Sequence, residues 1–299
     1  MSSKFFLLSA VRFVNILPHR TALKLGAFLG TALWAFSKRK VDRAEARCVP
    51  ALGVGVTLAR GIVRRSYVHM GKSIVEFARA NRLRERLTSL VSIEGGGHLD
   101  EALKRGKGVL LMTAHIGNWE LAGARLAAEG YLTAPIYTPQ RNKGGVNDLI
   151  SERRADTGMK MIPSQGLGLR EAFRMLRQGG VLIFMQDLDA RKEGILLPFL
   201  GLPASTATGI VKMHQKFGAP VVPAVTTRNA DGVHHTLHIQ EILSDARDED
   251  GNLFGANMEK SLKMCNNVLG KWVTEYPEQW MWLLDKWESA LPFEFTKKT

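Results

Sequence analysis

His115 and Glu120 are the residues of this chain whose types and spacing suit proton transfer, within the run Thr113-Ala114-His115-Ile116-Gly117-Asn118-Trp119-Glu120. An apolar stretch, 109–113, ends just before the histidine, and a helix is expected to begin near Asn118. In open α/β sheets functional groups gather just past the carboxyl ends of strands, and this pattern sets the imidazole there. Gly117 permits a tight reversal, so the glutamate is expected to fold back and accept a hydrogen bond from the His115 ring. Such a pair suits attack by an alcohol, a poor nucleophile near neutral pH. A neutral imidazole takes the hydroxyl proton, while a carboxylate on the other ring nitrogen fixes the tautomer and stabilises the imidazolium. The bland alternative is a structural histidine at a strand end, with Trp119 as a wall of the core or of a groove.

The elements that must position this pair follow from the changing apolar rhythm. Residues 1–88 read as helical, with apolar positions recurring at three and four. From residue 90 short apolar runs alternate with helical stretches. Strands are expected at 90–93, 109–113, 133–137, 159–162, 181–184, 220–227 and 236–242. Helices are expected at 98–104, 118–128, 146–155, 169–176, 207–217 and 257–275, with a loop after 184. Alternation of this kind indicates an α/β fold with a central, mostly parallel sheet flanked by helices. The division expected is an amino-terminal helical segment, 1–88, packed on an α/β domain, 89–299. No internal repeat or low-complexity linker interrupts it.

Charge narrows the partners. With 41 Lys and Arg against 28 Asp and Glu, the net charge is +13, which favours a polyanionic partner: anionic lipid, an acidic carrier protein or nucleic acid. The basic run 38–47 directly follows an apolar stretch, 25–36, as expected for a segment resting on anionic lipid. That stretch is shorter than the roughly 20 residues needed to span a bilayer, so an amphipathic or partly inserted membrane anchor is expected, a buried core helix being the competing reading. Lys4 and the apolar residues after it resemble the start of a signal peptide, but Arg12 interrupts the run and no small-residue cleavage site follows. The two cysteines, Cys48 and Cys265, are far apart and do not form a disulfide scaffold.

Other motifs carry less. Gly71-Lys72-Ser73 resembles the end of a phosphate-binding loop, but it lies in a helical stretch and its upstream glycine position is Ser66. His235 and His238 point to opposite faces of a strand, and no cysteine or acidic cluster completes a set with His234, so no metal is expected. Nucleic acid is not expected either, for want of a recognition motif.

The His-x4-Glu block resembles the first motif of the lysophospholipid acyltransferase superfamily, and most closely its lipid A late acyltransferase branch (lauroyl and myristoyl transferases). The similarity runs from about residue 17 to residue 287. A second block, Tyr137-Thr138-Pro139-Gln140-Arg141-Asn142 leading to Ser151-Glu152-Arg153-Arg154, sets Arg153 at the branch's arginine. A third resembles Gln186-Asp187-Leu188-Asp189-Ala190-Arg191-Lys192-Glu193-Gly194, with Asp187 at a functionally required acid. Two departures, Gln-Asp where Asp-Gln is frequent and Arg47-Cys48 where Asn-Leu is, leave the reaction class intact.

The resemblance implies a glycerolipid acyltransferase-like fold and transfer of an acyl chain from acyl-carrier protein, or acyl-CoA, to a hydroxyl of a phosphorylated glucosamine lipid. It implies no cofactor, and a place at the cytoplasmic face of a bacterial inner membrane. Catalysis would fall to His115 and Glu120, and substrate binding to Arg153, Asp187, Arg191 and Lys192. Arginine supplies a planar fork for phosphate and lysine a mobile point charge, while ion pairing with Asp187 or Asp189 is the structural alternative for these cations. Another glycolipid or lysophospholipid as acceptor, such as a mannosylated phosphatidylinositol, remains open, as does a non-catalytic membrane-binding relative.

Overall fold

The structure, a computed structural model, describes residues 2–137 and 144–291. Residues 138–142, which open the second sequence block, lie outside the described residues. The first elements are α1 (Ser2–Ile16), α2 (His19–Phe36), α3 (Lys38–Leu52), α4 (Val56–Ala78) and two single turns, α5 (Ala80–Leu83) and α6 (Leu87–Leu90). Then come β1 (Val91–Glu94), α7 (Gly96–Lys104), β2 (Val109–Thr113), α8 (Trp119–Ala128), β3 (Thr133–Tyr137), α9 (Gly144–Asp156) and β4 (Ile162–Pro163). The second half holds α10 (Gly168–Arg177), β5 (Val181–Met185), β6 (Ile195–Phe199), β7 (Leu202–Thr206), α11 (Gly209–Phe217), β8 (Val221–Arg228), β9 (His235–Ile239) and α12 (Met258–Glu275).

The sheet runs in the order β1-β9-β8-β2-β5-β3-β4 and is the mostly parallel one expected, with β9 antiparallel to β8. All five residues of β2 are buried, as a central strand covered on both faces must be. Its side chains alternate: Leu110 and Met112 join a cluster with residues of α3, α4, α10, α11 and α12, whereas Val109 and Leu111 pack with α6, α7 and α8. The helices of the amino-terminal segment therefore share a core with the sheet. In the parallel β2–β5 pair Thr113 lies opposite Met185, so the two strands end level. Residues two positions beyond each end, His115 and Asp187, emerge side by side.

Two features differ from the pattern in the sequence. The stretch expected as a loop after residue 184 contains a two-stranded antiparallel hairpin, β6–β7. Its facing prolines, Pro198 and Pro203, mask the strand signal, while Leu197, Phe199 and Ala204 are buried. The second concerns α2. It packs on α4 through glycines: a Cβ on Gly71 would stand 2.1 Å from the Gly26 carbonyl oxygen, and one on Gly30 2.2 Å from that of Tyr67. With Ala22, Leu23, Gly26 and Gly30 turned inward, Phe28, Leu29, Leu33 and Phe36 face outward, Phe36 at 89% exposure. Phe13 and Ile16 of α1 are exposed as well. Among the described residues no single helix is long and apolar enough to cross a membrane.

Candidate active site

His115 and Asp187 are hydrogen-bonded where the level strand ends bring them together. The imidazole Nδ1 lies 2.8 Å from Asp187 Oδ1, and the His115 backbone N–H donates to Asp187 Oδ2 at 2.8 Å. A third donor, the Trp280 indole N–H, reaches Oδ2 at 2.9 Å. The Asp187 side chain is only 1% exposed, so its charge depends on these donors. Burial pushes its carboxyl up, but the neighbouring His115, the Trp280 indole and the His115 amide outweigh that and hold it below the usual range. With Nδ1 donating to Asp187, Nε2 is the ring nitrogen left to accept a proton.

The turn after His115 is gripped from the carboxyl-terminal side. Met281 donates its backbone N–H to the His115 carbonyl at 3.0 Å, and Gly117 donates to the Gln279 carbonyl at 3.0 Å. Gly117 has φ +58°, and a Cβ there would stand 2.0 Å from the Thr226 carbonyl oxygen, so both backbone angle and space require glycine. Asn118 caps α8: its side-chain oxygen accepts from the Leu121 amide, and its amide nitrogen donates to Glu76 at 2.8 Å. Glu76 is fully buried on α4, forked by Arg228 at 2.9 and 2.6 Å and bonded to His235 at 3.2 Å. Burial works against its charge, but His235 and Arg228 outweigh it and keep the carboxyl below its ordinary range. The charged Glu76 thus fixes Asn118, and with it the start of the helix that carries Glu120.

Glu120 does not take the partner expected of it. Both its oxygens are bound by Arg154 of α9, from Nε at 2.9 Å and from Nη2 at 2.6 Å, while the His115 ring bonds Asp187. The reason is helical phase. Glu120 lies in the first turn of α8 and reaches Arg154 of α9, whereas its neighbour Trp119, about 100° round the helix, meets the ring edge-on with centroids 4.7 Å apart. Arg153, one position round the helix from Arg154, also differs from expectation: it pairs with Asp156 at 3.0 Å and with Glu152 at 3.6 Å. The residues that reach the cleft are therefore Glu120 and Arg154.

That cleft is a groove of about 1320 Å³ bounded by Trp119, Glu120 and Arg154. Ile136, Ile183, Phe184 and Met185 give it an apolar wall, and Arg191 and Lys192, both exposed, stand at its rim. Arg191 has a left-handed backbone, φ +51°, held by its N–H donating to Asp189 Oδ1 at 2.9 Å and its carbonyl accepting from Ser205 Oγ at 2.7 Å. Behind this loop Lys286 is buried, its ammonium donating to the carbonyls of Leu188 at 2.7 Å and Ser205 at 2.9 Å; burial pushes its pKa down to about 8. Reasoning from sequence missed Trp280, Glu76, Arg228, Arg154 and Lys286. Each is far in sequence from the motif it serves, except Arg154, whose signal was its adjacency to Arg153.

Comparisons with known proteins agree on acyltransferases. The sequence model described as bacterial lipid A biosynthesis acyltransferase matches residues 2–289. The lipid A biosynthesis acyltransferase of Haemophilus influenzae is 26% identical over 206 residues, which span 69% of this chain and 61% of that protein. The lipid A biosynthesis lauroyltransferase of Escherichia coli is 25% identical over 276 residues, 89% of this chain and 85% of the relative. A phosphatidylinositol mannoside acyltransferase of Mycobacterium tuberculosis is 29% identical over 135 residues, 44% of this chain and 42% of the relative.

The geometry gives a direct spectroscopic expectation. In proton NMR of the ¹⁵N-His-labelled protein, the His115 Nδ1 proton should resonate far downfield and be protected from exchange. Asp187→Asn should remove that signal, whereas Glu120→Gln should leave it in place. Loss of the signal in the Glu120 variant alone would mean that the ring is oriented by Glu120.

Proposed function

The chain belongs to the bacterial lipid A biosynthesis acyltransferase family, and on that premise we propose that it moves a fatty acyl group from an acyl-carrier-protein thioester to a hydroxyl of a phosphorylated glucosamine lipid. The observation that carries this reading is the His115–Asp187 pair set beside a groove with an apolar wall and with Arg191, Lys192 and Lys212 among its charged lining residues. Nε2 of His115 takes the proton of the acceptor hydroxyl as its oxygen attacks the thioester carbonyl. The tetrahedral intermediate then collapses with cleavage of the carbon–sulfur bond, and the imidazolium returns its proton to the departing thiolate. Asp187 holds the tautomer and stabilises the imidazolium. No serine or cysteine nucleophile and no metal or cofactor is needed.

Glu120 and Arg154 take a different part in this scheme. Their ion pair braces the groove wall, and Arg154, with Arg191 and Lys192, supplies positive charge for phosphate or for the developing oxyanion. The apolar wall receives the acyl chain, in which ten buried methylenes are worth about 8 kcal/mol of gross binding at ~0.8 kcal/mol each. The mycobacterial relative supports a second reading, in which the acceptor is a mannosylated phosphatidylinositol. The exposed apolar residues of α1 and α2, next to the basic α3, support attachment to an anionic membrane surface, which we take to be the cytoplasmic face of a bacterial inner membrane.

Lipid extracts from cells with and without the gene test the acceptor: a mass difference of one acyl group is expected in lipid A. The same difference in a mannosylated phospholipid selects the second reading, and none in any lipid rejects both. In purified protein His115→Ala should lower kcat by about 10²–10⁴. Glu120→Gln should act mainly by raising KM for the acceptor. A Glu120→Gln variant as inactive as His115→Ala, with the His115–Asp187 bond intact, would contradict the division of roles.

Membrane attachment has its own check. Phe28→Ser, Leu33→Ser and Phe36→Ser combined should sharply reduce co-sedimentation with phosphatidylglycerol vesicles and leave the thermal melt close to wild type. Undiminished sedimentation would move the contact elsewhere.

A further inference from the structure

Beside the groove, α10 and α11 form a surface that the reaction scheme leaves unused. On α10, Ala172, Met175 and Leu176 are buried, and Arg170, Arg174 and Arg177 stand on the opposite side. α11 adds Lys212 and Lys216, one turn apart and both exposed. The two helices are joined by Phe173 and Phe217, whose rings stack with centroids 4.9 Å apart. Leu169 and Phe173, 46% and 40% exposed, lie among the cations. Among the described residues none of these five cations pairs with a carboxylate, and α11 itself carries no acid. The surface continues into the groove, for Gly209 and Lys212 at the start of α11 line it, as do Ser164 and Gln165 ahead of α10.

We propose that the α10–α11 surface is the docking site of the acyl-carrier protein, a small acidic partner whose tethered acyl thioester enters the groove beside Lys212. This rests on the donor named above. A stripe of unpaired cations with a few apolar residues between them complements an acidic helical surface. The outward apolar face suited to lipid is a separate one, on α1 and α2. Docking by long-range charge sets encounter and register, while the acyl chain in the groove supplies the apolar contact.

The test combines Arg170→Glu, Arg174→Glu and Lys216→Glu, three exposed residues outside the groove lining, with folding verified by thermal melt. Initial rates are measured with acyl-loaded acyl-carrier protein across salt concentrations. We expect KM for this donor to rise on the order of tenfold or more at low salt, with much of the salt dependence lost and kcat at saturation retained. Binding to phosphatidylglycerol vesicles should be unchanged. An unaltered KM in the triple variant overturns the docking site while leaving the donor in place. Loss of vesicle binding with KM unaltered makes this face a lipid contact and also overturns it. Wild-type turnover of acyl-CoA but not of acyl-carrier-protein thioester overturns the donor reading, and the docking site with it.

Discussion

The level ends of β2 and β5 are the constraint on which the site depends. Parallel pairing places Thr113 opposite Met185, and two residues further along each chain the imidazole of His115 meets the carboxylate of Asp187. A buried carboxylate is costly unless its oxygens are satisfied, and Asp187 draws donors from the His115 ring, the His115 amide and the Trp280 indole. The ring is thereby held at two points, through its side chain and its own backbone. A slip of one residue between these strands would turn Asp187 away from His115.

Around that contact the structure arranges two further charge pairs with different work. Glu76 and Arg228 are both buried, and removing one partner of such a pair typically costs about 3–5 kcal/mol because the other is left uncompensated. Their pairing keeps Glu76 charged where Asn118 needs an acceptor, so a buried ion pair at the carboxyl end of β8 fixes the first turn of α8. Glu120 and Arg154 lie at the groove, each about one-seventh exposed, and join α8 to α9 across the cleft. The first pair sets geometry, and the second sets the shape and charge of the space where substrate would lie.

Much of this was legible in the sequence, and the unread part has a physical cause. Periodicity located β2, β3, β5 and α8 closely because those segments are largely buried, mostly apolar runs. The turn at Gly117 was legible because only glycine accommodates its angle and the nearby Thr226 carbonyl. The partner of His115 was not, because proximity in sequence favoured Glu120 whereas strand register delivers Asp187, 72 residues away. Trp280 reaches Asp187 across 93 residues and Glu76 reaches Asn118 across 42, from elements that carry no motif. Arg153 and Arg154 show the limit of reading a helix without its phase: neighbours in sequence, they point about 100° apart, and only one reaches the groove.

The central claim is that His115 and Asp187 work as one unit while Glu120 works separately. A double-mutant cycle on kcat/KM measures this, using His115→Ala, Asp187→Asn and Glu120→Gln singly and in pairs. Groups that act as a unit are strongly non-additive, because removing the second costs little once the first is gone. The account predicts that Asp187→Asn lowers the rate little further in the His115→Ala background, whereas Glu120→Gln lowers it by the same factor in either background. Full additivity between His115 and Asp187, with non-additivity between His115 and Glu120, would contradict it.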